Sequence, residues 1–158
     1  MKSHRNGGKE RSMQYTTTIE IDQPRERVIE LMLDPGNSSQ WQPTLMKAER
    51  LEGDPGQEGS QVRLVHKMGG REIEMIETIV SLNLPDSFEA SYEGKGVFNL
   101  NVNRFEALDG GRTRWELHTA FRFTGLMRLI GRLFSGMFKK QTGSIMKSFK
   151  DFAESVEA

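Results

Sequence analysis

Between residues 45 and 124 the chain runs through six segments of strand character, at about 45–52, 60–68, 71–84, 87–93, 96–107 and 112–124, divided by little more than glycine pairs and a proline turn. A parallel pair needs a crossover of a dozen residues or more, and Gly69-Gly70, Leu84-Pro85-Asp86 and Asp109-Gly110-Gly111 leave no room for one. An antiparallel meander is expected. Different periods flank it. Ahead of it, Tyr15, Thr17, Ile19 and Ile21 alternate with polar residues as a half-buried strand does. Asp22 or Gln23 then caps a helix with Pro24 in its first turn and Val28, Ile29, Met32 and Leu33 as its apolar stripe. Asp34-Pro35-Gly36 ends that helix, and residues 37–41 leave space for a second short turn before Pro43. After the meander, Leu126, Leu129, Ile130, Leu133, Phe134, Met137, Ile145, Phe149, Phe152 and Val156 recur at helical spacing. A helix of that length would extend about 45 Å. Gly131, Gly136 and Gly143 weaken it, which predicts a bend or break in its first half.

A length of 158 residues suits one domain, expected over 13–158 behind a mobile polar tail at 1–12. Cysteine is absent, which excludes a disulfide or a thiol nucleophile, and no apolar run reaches the roughly 20 residues of a membrane span. With no signal-peptide pattern at residues 1–12, a cytoplasmic location is expected. Lysine plus arginine and aspartate plus glutamate balance at 22 each, unlike a nucleic-acid-binding chain. The placement of charge says more than its total. Residues 117–150 hold Arg122, Arg128, Arg132, Lys139, Lys140, Lys147 and Lys150 and no acidic residue.

Strand, two short helices, six-strand meander and long C-terminal helix form an order that resembles the α+β helix-grip fold of the START-like, or SRPBCC, superfamily, which includes polyketide cyclase/dehydrase-like proteins. The local phrases that carry the resemblance are Ile19 to Arg27, Trp41-Gln42-Pro43, Gly56 to Val62, Asn103-Arg104-Phe105-Glu106 and Gly110 to Trp115. The resemblance covers about residues 13–156. It implies a curved seven-stranded antiparallel sheet wrapped around the C-terminal helix, with an apolar cavity between them for a hydrophobic small molecule or lipid.

Hairpin geometry predicts which side chains face that cavity. A two-residue turn at Gly69-Gly70 pairs His66 with Ile73, Leu64 with Met75 and Val62 with Glu77 on one face. For the last hairpin an even-length loop turns Phe98, Leu100 and Val102 inward, and this apolar set is the expected one. A three-residue loop would instead turn Asn99, Asn101 and Asn103 inward and make the cavity polar, against the hydrophobic ligand expected here. The expected lining is Trp41, Leu64, His66, Met75, Phe88, Tyr92, Trp115, Phe121, Phe134 and Met137.

No phosphate loop, zinc-binding His-Glu-x-x-His or Gly-x-Ser-x-Gly elbow occurs, and His4, His66 and His118 are too dispersed for a metal site. Neither metal nor cofactor is expected. His66 with Glu77 or Tyr92 could support acid/base chemistry, so cyclase or dehydratase activity stands as an alternative to binding alone. A further alternative is docking on an anionic membrane or a partner through the basic segment 122–140.

Overall fold

A computed structural model describes residues 13–157, so the tail expected at 1–12 lies outside the described residues. Seven strands, β1 (Met13–Ile21), β2 (Leu45–Glu52), β3 (Gln61–Met68), β4 (Arg71–Asn83), β5 (Ser87–Gly94), β6 (Val97–Leu108) and β7 (Arg112–Phe123), make one sheet. Its order is β1-β7-β6-β5-β4-β3-β2 with every neighbouring pair antiparallel. Helices α1 (Arg25–Leu33) and α2 (Ser38–Trp41) fill the connection from β1 to β2, with a 3-10 turn at Pro35–Asn37 between them. Helices α3 (Met127–Leu133) and α4 (Ser135–Ser155) follow β7. The expected break in the last helix falls at Phe134. The start of α1 differs from expectation. Pro24 occupies the cap position, no side chain caps the helix, and the backbone N–H of Asp22 instead donates to Glu154 on α4.

The β3–β4 and β6–β7 hairpins differ in loop length, and that difference decides which side chains face inward. At Gly69-Gly70 both glycines have positive φ, as a two-residue turn matched to strand twist requires, and Met68 pairs with Arg71. The expected pairs of His66 with Ile73, Leu64 with Met75 and Val62 with Glu77 are all present. The last hairpin closes through the three residues Asp109, Gly110 and Gly111, because Leu108 pairs with Arg112. Asn99 therefore stands opposite Phe121, Asn101 opposite Thr119, Asn103 opposite Leu117 and Phe105 opposite Trp115. The expectation that Phe98, Leu100 and Val102 point inward is overturned. Asn99 and Asn103 are buried on the concave face, and Phe105 is buried there without help from a bulge.

Charged side chains confirm this parity from outside. Arg104 pairs with Glu116, and Arg114 bridges Glu106 and Glu20, on the convex face where water tolerates them. Phe98 shares that outer face, with the Arg122 guanidinium 4.7 Å from its ring centre. A bulge in β4 between Ile79 and Ser81 bends the long strand, and two irregularities in β2 bend the edge.

The core sits where α1 and the C-terminal half of α4 press on the concave face. Ile21, Val28, Phe88, Ala90, Phe105, Trp115, Met146, Phe149 and Ala153 are each at most 5% exposed. Helix α4 lies mainly along β1. Tyr15 and Thr142 hydrogen bond at 2.7 Å, Lys150 donates to the Glu20 carbonyl, and Gln23 donates to the carbonyls of Ala153 and Val156. From the same turn of α4, Gln141 reaches Met68 at the end of β3, so the helix spans from β1 to the β3–β4 hairpin.

Candidate functional site

The register sorts the concave face into rows that cross the sheet. One runs through Ile19, Trp115 and Phe105; the next through Thr17, Leu117, Asn103 and Phe88; the next through Tyr15, Thr119, Asn101 and Ala90; and a fourth through Phe121, Asn99, Tyr92, Glu77 and Val62. The first two belong largely to the sealed core. In the last two, Tyr15, Asn101, Phe121, Tyr92, Glu77 and Val62 keep part of their surface accessible, as does Met75 one step further on. The open part of the grip is therefore the part that carries most of its polar side chains.

Those polar groups satisfy one another. The Asn99 amide donates to the Thr119 hydroxyl at 2.6 Å and to the Ala120 carbonyl, and Thr119 in turn donates to the Asn101 carbonyl oxygen. Asn103 accepts from the Trp115 indole N–H at 3.0 Å. The asparagines thus make the interior polar in composition while committing much of that polarity to internal bonds. Among the buried groups of the described residues without a hydrogen-bond partner are the Thr17 hydroxyl and the Trp41 indole N–H.

Glu77 and Tyr92 are cross-strand neighbours whose side chains hydrogen bond, the phenol donating to the carboxylate. Although both keep some accessible surface, protein surrounds them closely. Burial raises the Glu77 carboxyl above its ordinary value of 4.5, outweighing the opposite pull of the Tyr92 hydrogen bond. Burial first, then the Glu77 charge and the shared hydrogen bond, push Tyr92 well above 10.0. A carboxyl with a raised pKa next to a phenol can hold a ligand hydroxyl or carbonyl, or pass a proton to one.

His66 stands apart from this pair. It lies four residues along β3 from Val62, the partner of Glu77, a separation of about 13 Å at about 3.3 Å per residue. Its Nδ1 is 3.0 Å from the Thr44 hydroxyl, and burial lowers its pKa, so the ring is neutral near pH 7. The combination of His66 with Glu77 or Tyr92 is not assembled.

The other expected lining residues divide into three groups. Leu64, Phe88 and Trp115 are buried on the concave face, with Phe88 stacked on Phe105 and Trp115 edge-on to Phe149. Met75 and Phe121 face inward and are partly open, Phe121 between Tyr15 and Phe138, while Trp41 packs edge-on against Phe149 at 5.1 Å. Phe134 and Met137 are corrected outright. At 47% and 60% exposed they face solvent, because the first turn of α4 presents Phe138 rather than these two to Phe121 and Phe123 of β7.

Two surface hollows of about 290 and 300 Å3 lie away from this face. One is bounded by Arg27, Asp34, Gln40 and Phe152 beside α1, the other by Asp86, Arg104, Glu106 and Glu116 at the outer sheet. Among the described residues, no cluster of His, Asp or Glu is suited to a metal ion, and no helix is long and apolar enough to cross a membrane.

Glu77 offers a direct pH test. A carboxyl whose folded pKa lies above its unfolded value contributes most stability below about pH 4.5, and that contribution is lost as pH rises through the folded value. Glu77→Gln keeps a partner for Tyr92 without the buried charge. The variant should therefore melt higher than the wild type at pH 7.5 and match it near pH 4, with His66 cancelling from the comparison. Equal melting temperatures at both pH values would contradict a raised Glu77.

No match is found among curated protein sequences. Solved structures with the same fold include the Zhui aromatase/cyclase of Streptomyces (TM-score 0.76, 16% identity, 91% of this chain and 94% of that one). A START superfamily protein of Mycobacterium smegmatis has TM-score 0.76 and 15% identity, over 91% of this chain and 99% of that one. Norcoclaurine synthase of Thalictrum flavum, solved with dopamine and hydroxybenzaldehyde, has TM-score 0.72 and 10% identity, over 94% and 90%. At these identities the likeness is one of fold. The family model for polyketide cyclase/dehydrase and lipid transport matches residues 12–157, nearly the whole chain, and the protein belongs to that family.

Proposed function

We propose that the protein binds a hydrophobic small molecule bearing at least one hydroxyl or carbonyl group against the open part of the concave face, with the polar group at Glu77 and Tyr92. The observation that carries this reading is the Glu77–Tyr92 pair itself, a carboxyl and a phenol held together on a face whose nearest inward neighbours include Val62 and Met75. A buried carboxyl with a raised pKa costs stability at neutral pH, a cost typical of functional positions. The inward asparagines count against the hydrophobic small molecule or lipid expected from the sequence, and the ligand proposed in its place is amphipathic.

Native mass spectrometry and thermal-shift screening of fatty acids, polycyclic phenols and isoprenoid alcohols should find a ligand that raises the melting temperature. Met75→Trp should fill the open space and abolish that shift while leaving the apo protein folded. A ligand shift unchanged in Met75→Trp would place binding elsewhere.

A second reading, cofactor-free cyclase or dehydratase chemistry, draws on the same pair, since a protonated Glu77 can donate to a carbonyl oxygen as Tyr92 holds it. Glu77→Gln separates the two. Retained binding with lost turnover would favour catalysis, whereas the absence of turnover in the wild type across bound polyketide-like ligands would favour binding alone.

A further inference from the structure

The corner formed by α3 and the first turn of α4 displays more apolar surface than packing explains. Leu126, Leu129 and Leu133 are 75%, 55% and 66% exposed, and Phe134 and Met137 add 47% and 60%. Leu126, Leu129 and Leu133 recur at helical spacing, so they form one outward stripe, continued by Phe134 and Met137 around the turn. The opposite side of α3 is firmly seated. Gly131 is buried so tightly on β7 that a Cβ there would lie 2.5 Å from the Phe123 ring, and Met127 packs over Gly96. The seating fixes which side of the segment faces solvent, so the stripe cannot rotate inward without dislodging the glycine contact.

Arg128, Arg132, Lys139 and Lys140 flank the stripe, all exposed, and no acidic residue occurs between residues 117 and 150. Among the described residues none of the four forms an ion pair, whereas Lys147 and Lys150 further along α4 pair with Asp151 and Glu154. The Arg128 side chain donates through its Nε to the Phe123 carbonyl. Large apolar side chains ringed by unmatched cations are the pattern of a segment that rests in the headgroup region of an anionic bilayer.

We propose that residues 126–140 form a docking surface for an anionic lipid bilayer, with Leu126, Leu129, Leu133, Phe134 and Met137 entering the interface and the four cations meeting lipid phosphates and carboxylates. This inference is independent of the ligand reading. The unbalanced positive charge favours an anionic membrane over a second copy of this chain, because two such faces brought together would repel.

The test is co-sedimentation of the full chain with vesicles of phosphatidylcholine alone and of phosphatidylcholine with phosphatidylserine, at low and high salt. Binding is expected to the anionic vesicles at low salt and to weaken at high salt. Replacing Arg128, Arg132, Lys139 and Lys140 by glutamine should weaken it by about fivefold for each cation near the surface. Leu129→Ser with Phe134→Ser should weaken binding at unchanged melting temperature, since both side chains are exposed. No binding to either vesicle overturns the proposal, as does affinity unaltered by both sets of substitutions, or a salt-insensitive dimer that hides the stripe.

Discussion

Phe149→Ala should lower the unfolding free energy by about 3–5 kcal/mol, the range for truncating a well-packed aromatic side chain. Phe149 is 0% exposed on α4 and its ring meets Trp41 at 5.1 Å, Trp115 at 5.5 Å and Phe152 at 6.3 Å. It therefore joins the short helix α2, the sheet and the end of α4 at one point. Neighbouring aromatic rings cannot easily collapse into the space, because each is held by its own element, so the cavity contribution should persist. Urea unfolding monitored by tryptophan fluorescence would measure the loss. A loss under about 1 kcal/mol would mean that α4 is not clamped here and that the grip is looser than the ring contacts indicate.

Phe149 and Phe134 show what a periodic signal contains and what it lacks. Both belong to one helical stripe in the sequence, yet one is wholly buried and the other 47% exposed. Periodicity reports which residues share a face, but not where a second element exists to cover that face. The break between α3 and α4 redirects the stripe, and its position at Phe134 depends on how α3 seats Gly131 against Phe123, a contact between residues eight apart across a loop. The meander and the β3–β4 register were legible because two glycines admit only a tight turn and the remaining pairs follow by counting. The last hairpin departs from the expected loop by one residue, and a one-residue change in loop length reverses every side chain. A signal for the right parity was present. Arg104 and Glu106 share a face with Phe98 and Leu100, and Arg114 and Glu116 sit opposite them, so opposed charges marked the solvent side more securely than the hydrophobic residues did. The Thr44–His66 contact was not legible, because it depends on the path of the chain from α2 into the edge strand.

The inward turn of Asn103 leads to the second large effect. Its side-chain oxygen accepts from the Trp115 indole at 3.0 Å, in a site where Asn103 is 5% and Trp115 is 3% exposed. Asn103→Leu preserves bulk but leaves the indole N–H buried without an acceptor, and should cost about 1–3 kcal/mol despite placing a more apolar residue in the core. Trp115→Phe should also be costly, chiefly through lost packing against Phe149. The double variant is the informative one. With the indole N–H gone, the introduced leucine no longer strands a donor, so adding Asn103→Leu to Trp115→Phe should cost about 1–2 kcal/mol less than adding it to the wild type. Strict additivity in that cycle would mean that the two side chains do not share a hydrogen bond in solution. The same measurement therefore checks the parity of the whole last hairpin, because only the inward-facing register brings Asn103 to Trp115.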